Sequence, residues 1–218
     1  MKNFLIPIAT FLLLIFLLVG FVVSGQEKDL NFVSPKIQNE KVLGENVWFP
    51  KFENVSFADA PNTSAKAALF VDSKSGQVLF AKSATEKLPI ASLAKVMAAL
   101  IALEHKSLDS IYSVPKRATE MEPDEMILLP SETLTLKELL YGIFLVSAND
   151  AAEVLAEETT GSREEFINLM NSKTAQLGMK DTYFVNPTGL DEDSGSSVSS
   201  AYDMAILTRY LVRNYPEV

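Results

Sequence analysis

Lys87-Leu-Pro-Ile-Ala-Ser92-Leu-Ala-Lys95-Val-Met-Ala-Ala-Leu100-Ile-Ala-Leu-Glu-His105 is the stretch on which the reading of this chain turns. Leu93, Val96, Met97, Leu100, Ile101 and Leu103 put apolar residues on every side of a helix over 92–105, which is therefore expected at the centre of a core. Pro89 fits a chain that enters this helix abruptly. At the first turn, residues i and i+3 share a face, so the Ser92 hydroxyl and the Lys95 amine come within hydrogen-bonding reach. A serine hydroxyl is a poor nucleophile near neutral pH unless a base takes its proton, and a lysine becomes that base when burial lowers its pKa. The helix start adds a backbone N–H that can face a developing oxyanion.

The bare pattern is cheap. Ser113-Val-Pro-Lys116 repeats it, but the proline argues against Ser113 and Lys116 sharing an interior helical turn. A second element adds weight to Ser92. Ser147-Ala-Asn149 is the only Ser-x-Asn in the chain; it follows an apolar helix ending at Val146 and precedes another helix start. The Ser147 hydroxyl can both donate and accept, so it can pass a proton between a lysine and a leaving amine. Asn149 offers a donor and an acceptor to a substrate amide. Taken singly, each of these residues also reads as a helix cap.

Working outward, residues 67–81 read as a β-hairpin. Ala-Ala-Leu-Phe-Val and Gln-Val-Leu-Phe-Ala flank the turn cluster Asp72-Ser-Lys-Ser-Gly76. Downstream the pattern is read as mostly helical. Thr135-Leu-Lys-Glu138 and Ser162-Arg-Glu-Glu165 have capping-box spacing ahead of apolar runs, and Gly178 stops the second of these helices. Residues 181–199 read as loop, and a last helix is expected from Ser199 or Ser200 to about Arg213.

In this order the segments resemble the low-molecular-weight penicillin-binding proteins, the D-alanyl-D-alanine carboxypeptidases of the serine peptidase S11 family. The resemblance runs through Ala-Ala-Leu-Phe-Val-Asp-Ser-Lys-Ser-Gly-Gln-Val-Leu and the Lys87 to Met97 stretch. It continues through Leu139-Leu-Tyr-Gly-Ile-Phe-Leu-Val-Ser-Ala-Asn-Asp-Ala-Ala and Leu177-Gly-Met-Lys-Asp-Thr-Tyr-Phe-Val-Asn-Pro-Thr-Gly-Leu. It implies an α/β (α+β) fold of the β-lactamase/transpeptidase type: an antiparallel sheet flanked by helices, with an all-helical subdomain. It implies Ser92 as acylated nucleophile, Lys95 as general base, Ser147 as proton relay and Asn149 as the residue orienting substrate and lysine. The implied substrate is the D-Ala-D-Ala end of a peptidoglycan stem peptide, with β-lactams trapped as acyl-enzymes. No cofactor or metal is implied.

The third motif of that family, Lys-Thr-Gly, has no counterpart. Lys173-Thr-Ala falls inside an expected helix, and the Thr-Gly pairs at Thr160 and Thr188 lack a preceding lysine. The expectation is that the chain stops in mid-domain, with C-terminal sheet strands missing. Two rivals follow. A class A-like β-lactamase finds a faint echo in Glu164-Glu-Phe-Ile-Asn168, which reads better as the first turn of a capped helix. A catalytically silent, membrane-tethered wall-binding protein rests on the missing motif alone.

The bulk numbers bound the rest. The chain is 48% hydrophobic and 22% charged, a globular composition. With 19 basic against 28 acidic residues, the net charge of −9 disfavours nucleic acid as a partner. There is no cysteine, which excludes thiol chemistry, and the single histidine, His105, excludes a site needing two imidazoles. After Lys2 an apolar run over residues 4–23 is long enough to span a bilayer and also fits a secretory signal. Residues 1–25 are therefore expected to be a signal peptide or membrane anchor, 26–63 a linker or stalk, and 64–218 the peptidase domain. The domain is expected to be exported, to the outer face of the cytoplasmic membrane, the periplasm or the cell wall.

Overall fold

The computed structural model describes residues 48–53 and 61–217. The apolar run at 4–23 lies outside them. Among the described residues no helix is long and apolar enough to cross a membrane.

The expected hairpin forms as β1 (Ala68–Val71) and β2 (Val78–Lys82), antiparallel with Phe70 opposite Phe80. Its turn is tied by Asp72, whose Oδ1 accepts from the Ser75 amide and the Ser75 hydroxyl, both at 2.7 Å. The Lys51 segment pairs alongside, its amide donating to the Gly76 carbonyl at 2.7 Å. Phe52 stacks on Tyr202 and Arg209 lies over the Trp48 ring, so this segment packs against the last helix. Two further short antiparallel pairs lie among the described residues: β3 (Leu88–Pro89) with β6 (Val198–Ser199), and β4 (Ile111–Ser113) with β5 (Thr133–Thr135).

Among the described residues there are five α-helices: α1 (Ala94–His105), α2 (Leu136–Val146), α3 (Asn149–Thr160), α4 (Arg163–Leu177) and α5 (Ala201–Asn214). α1 is the centre of the core, with Met97 through Ala102 almost wholly buried, and it packs against the four other helices. Ala98, Ala99 and Ala102 on α1 and Ala151, Ala152 and Ala156 on α3 are all fully buried, and such small side chains let two helix backbones approach closely. The capping box at Thr135 is complete: its hydroxyl accepts from the Glu138 amide at 3.2 Å, and Glu138 accepts from the Thr135 amide at 2.7 Å. Ser162 and Ser200 cap α4 and α5 from one side only, each accepting a backbone amide.

Two expectations change. The helix read over 92–105 starts at Ala94, preceded by a 3₁₀ turn at Ala91–Leu93, because Ala91 takes a left-handed φ of +45°. The middle of the chain is less helical than its apolar content suggested. Residues 111–135 carry β4, a 3₁₀ turn at Lys116–Glu120, a loop and β5, since Pro115, Pro123 and Pro130 interrupt any longer helix.

Candidate active site

α1 and α3 begin at the same end of the molecule, and the candidate residues meet between them. The Lys95 amine lies 3.0 Å from Ser92 Oγ and 3.2 Å from Ser147 Oγ, and the two hydroxyls are 2.9 Å apart. Ser92 is exposed while Lys95 is only 2% exposed, so the hydroxyl faces solvent and the amine does not. Burial strips water from the Lys95 ammonium and pushes its pKa down to about 8, against a weaker upward pull from the charge of Asp124. Such an amine is neutral in about a tenth of the molecules at pH 7.

The local backbone explains the placement. Ser147 closes α2 in the left-handed conformation, φ +59° and ψ +31°, with its amide donating to the Gly142 carbonyl. That turn aims the hydroxyl back at Lys95 before α3 starts at Asn149. A serine held at positive φ is a strained position of the kind that clusters at functional sites.

Asn149 opens α3 and faces the loop before it. It is buried, and its Nδ2 donates to the Pro123 carbonyl, while its backbone amide donates to the Asp124 carbonyl at 2.7 Å. Among the described residues it makes no hydrogen bond to Ser92, Lys95 or Ser147, and its buried Oδ1 has no partner. Its neighbour Asp150, wholly buried, accepts from the Met126 amide at 2.9 and 3.0 Å and the Leu128 amide at 3.2 Å. Together they pin the loop that carries Asp124 beside Lys95. Gly142 leaves room for it: a Cβ there would sit 2.0 Å from Met126 Sδ.

The acidic stretch from Glu120 to Glu125 thus places one of its charges, Asp124, where it bears on the lysine. Asp150 and Asp124 were missed; Asp150 directly after Ser-Ala-Asn was the available signal. The decoy pair separates as expected, Ser113 ending β4 and Lys116 lying exposed beside Glu120. His105 sits at the end of α1, its Nδ1 donating to the Ile101 carbonyl at 2.7 Å. Lys173 lies within α4 and ion-pairs with Glu104 at 2.6 Å. Among the described residues no group of three or more histidines or acids is placed to hold a metal ion.

The family described as D-alanyl-D-alanine carboxypeptidase, peptidase S11, matches residues 54–218. The chain belongs to this family. It is 40% identical over 154 residues to the D-alanyl-D-alanine carboxypeptidase DacF of Bacillus subtilis, an alignment covering 68% of this chain and 39% of the relative. It is 34% identical over 170 residues to DacC of Escherichia coli, covering 73% and 42%. A crystal structure of a Mycobacterium tuberculosis D-alanyl-D-alanine carboxypeptidase superposes with a TM-score of 0.68 at 35% identity, covering 71% of this chain and 58% of that one. Penicillin-binding protein D2 of Listeria monocytogenes in its ampicillin-bound form superposes with a TM-score of 0.63 at 31% identity, covering 72% and 66%. The mixed helix-and-strand fold expected from the sequence is that of these penicillin-binding proteins. The chain spans about half the length, or less, of the curated relatives named here.

Proposed function

We propose that this chain carries the acylation centre of a serine-type D-Ala-D-Ala carboxypeptidase that acts on peptidoglycan stem peptides and is acylated by β-lactams. The observation that carries the reading is the buried Lys95 amine within hydrogen-bonding distance of both Ser92 and Ser147. In its neutral form the amine takes the Ser92 proton as Oγ bonds to the carbonyl carbon of the penultimate D-alanine. The proton then passes through the Ser147 hydroxyl to the nitrogen of the terminal D-alanine as the C–N bond breaks. Water hydrolyses the resulting Ser92 ester. The Ser92 backbone N–H, at the opening turn before α1, is proposed as one donor to the oxyanion.

Asn149, held by its loop contacts, is proposed to orient substrate and lysine through its unpaired Oδ1 once a substrate enters. Leu93 and Val146, the neighbours of Ser92 and Ser147, are 51% and 55% exposed, an apolar rim suited to the methyl groups of D-alanine. The likeness to β-lactam-bound and carboxypeptidase relatives supports the substrate class.

Incubation with a fluorescent penicillin, followed by a denaturing gel and peptide mass spectrometry, is expected to give a lasting label on the peptide containing Ser92. Absence of label, or label on another residue, sinks the proposal. Rapid release of hydrolysed penicillin with no lasting adduct points instead to the β-lactamase reading. The apolar run at 4–23 supports export to the outer face of the cytoplasmic membrane, as a cleaved signal or a retained anchor. Fractionation of expressing cells should find the chain outside the cytoplasm; recovery in the cytoplasmic fraction overturns that assignment.

A further inference from the structure

The chain crosses itself behind Ser92. The turn Asn186-Pro-Thr-Gly189-Leu190 is organised by one buried amide. Asn186 Oδ1 accepts from the Gly189 amide at 2.7 Å and the Thr188 hydroxyl at 3.2 Å, and its Nδ2 donates to the Leu190 carbonyl at 2.7 Å. Thr188 Oγ1 in turn accepts from the Leu190 amide at 3.2 Å. Asn186 and Thr188 are 0% and 1% exposed, so this internal bonding settles buried polar groups that would otherwise be costly.

Gly189 has a φ of +81° and lies flat against the peptide that joins Ala91 to Ser92. A Cβ at Gly189 would fall 1.8 Å from the Ala91 oxygen, 2.3 Å from its carbonyl carbon and 3.1 Å from the Ser92 nitrogen. These are backbone atoms with no flexible end to give way. The peptide they belong to is itself unusual, since Ala91 is a non-glycine residue at φ +45°. Later parts of the same loop grip the approach to it: the Ile90 amide donates to the Ser197 carbonyl at 3.1 Å, and β3 pairs with β6.

We propose that the 186–190 turn is a positioning brace for Ser92. The bare face of Gly189 holds the peptide joining Ala91 and Ser92 in its left-handed entry, and so sets the direction of the Ser92 N–H and hydroxyl toward substrate. The inference rests on Ser92 as the acylated residue. Gly189 and Asn186 act through that peptide and need not touch substrate.

The test uses Gly189→Ala and the milder Asn186→Asp, which keeps the acceptor oxygen and loses the donor to Leu190. In isotope-labelled protein the Ala91 carbonyl and Ser92 amide resonances should move in both variants while unfolding stays cooperative. This readout needs no chemistry at the serine, so it decides the brace even if no penicillin adduct forms and the functional reading fails. Stopped-flow acylation by penicillin should fall about 100-fold in Gly189→Ala through the bond-forming rate, with the initial non-covalent affinity unchanged, as expected for a misplaced nucleophile. Adding Ala91→Gly, which lets the displaced peptide relax, should return part of that rate. If Gly189→Ala does not fold, Asn186→Asp decides. Unmoved Ser92 resonances, or an unchanged acylation rate alongside moved ones, overturns the brace.

Discussion

Lys95→Ala and Lys95→Arg should each slow acylation of Ser92 by penicillin about 10³-fold, within the range expected when a general base is removed. The two substitutions fail for different reasons. Alanine leaves Ser92 and Ser147 bonded only to each other, with no acceptor for the proton. Arginine keeps a cation in place but does not release its proton in proteins. A purely electrostatic role for Lys95 would spare the arginine variant, so Lys95→Arg retaining acylation within tenfold would exclude the base assignment. In the wild type the sign of the pH dependence follows from the same group. Lys95 is held down at about 8 by burial, so acylation should rise as pH climbs through that value and level off above it. Asp124 pulls that pKa upward, and Asp124→Asn should therefore move the rise to lower pH. Asparagine tolerates the left-handed φ of +55° at this position, so the loop should keep its shape. A rise displaced to higher pH in Asp124→Asn would contradict the assignment.

The contrast between what the residues announced and what they withheld has a physical basis. The hairpin, the capped helices and the Ser92–Lys95 proximity depend on interactions within a few residues of one another: turn chemistry at Asp72, the Thr135 and Ser162 caps, the i to i+3 geometry of a first turn. Ser147 was legible because its short motif sits between two helices. Asn149 stood out as a candidate, but its present partner, the Pro123 carbonyl, did not, since that contact joins residues 26 apart in sequence. Asp150, Asp124 and Gly189 act across similar or larger separations and have no local signature. Gly189 in particular reads as an ordinary loop glycine until the Ala91 carbonyl is found against it. The reading of the middle of the chain as mostly helical did not register β4, where Tyr112 is buried between exposed Ile111 and Ser113.

Arg163→Met should destabilise the fold by about 3–5 kcal/mol, the cost expected when one partner of a buried ion pair is removed. Glu153, on α3 and wholly buried, receives the Arg163 guanidinium on both oxygens, Nε at 3.2 and 3.0 Å and Nη2 at 3.1 Å. The same Nη2 reaches Glu192 at 2.6 Å, so one side chain ties α3, the start of α4 and the loop just past Leu190. Arg117, 3.8 Å from Glu153 and half-exposed, is too distant and too solvated to replace it. Burial already holds the Glu153 carboxyl above its ordinary value, with Arg163 opposing. Without Arg163 that opposition is lost and the folded carboxyl keeps its proton to still higher pH. A raised acid contributes least to stability once it must ionise, so the penalty should be smaller at pH 5 than at pH 8. Urea unfolding at both values reads this directly. Adding Glu153→Gln, which removes the buried charge, should recover most of the loss and flatten its pH dependence. A loss under about 1 kcal/mol at both values would mean that water or Arg117 compensates the buried carboxylate, and that this network does not anchor the loop behind Ser92.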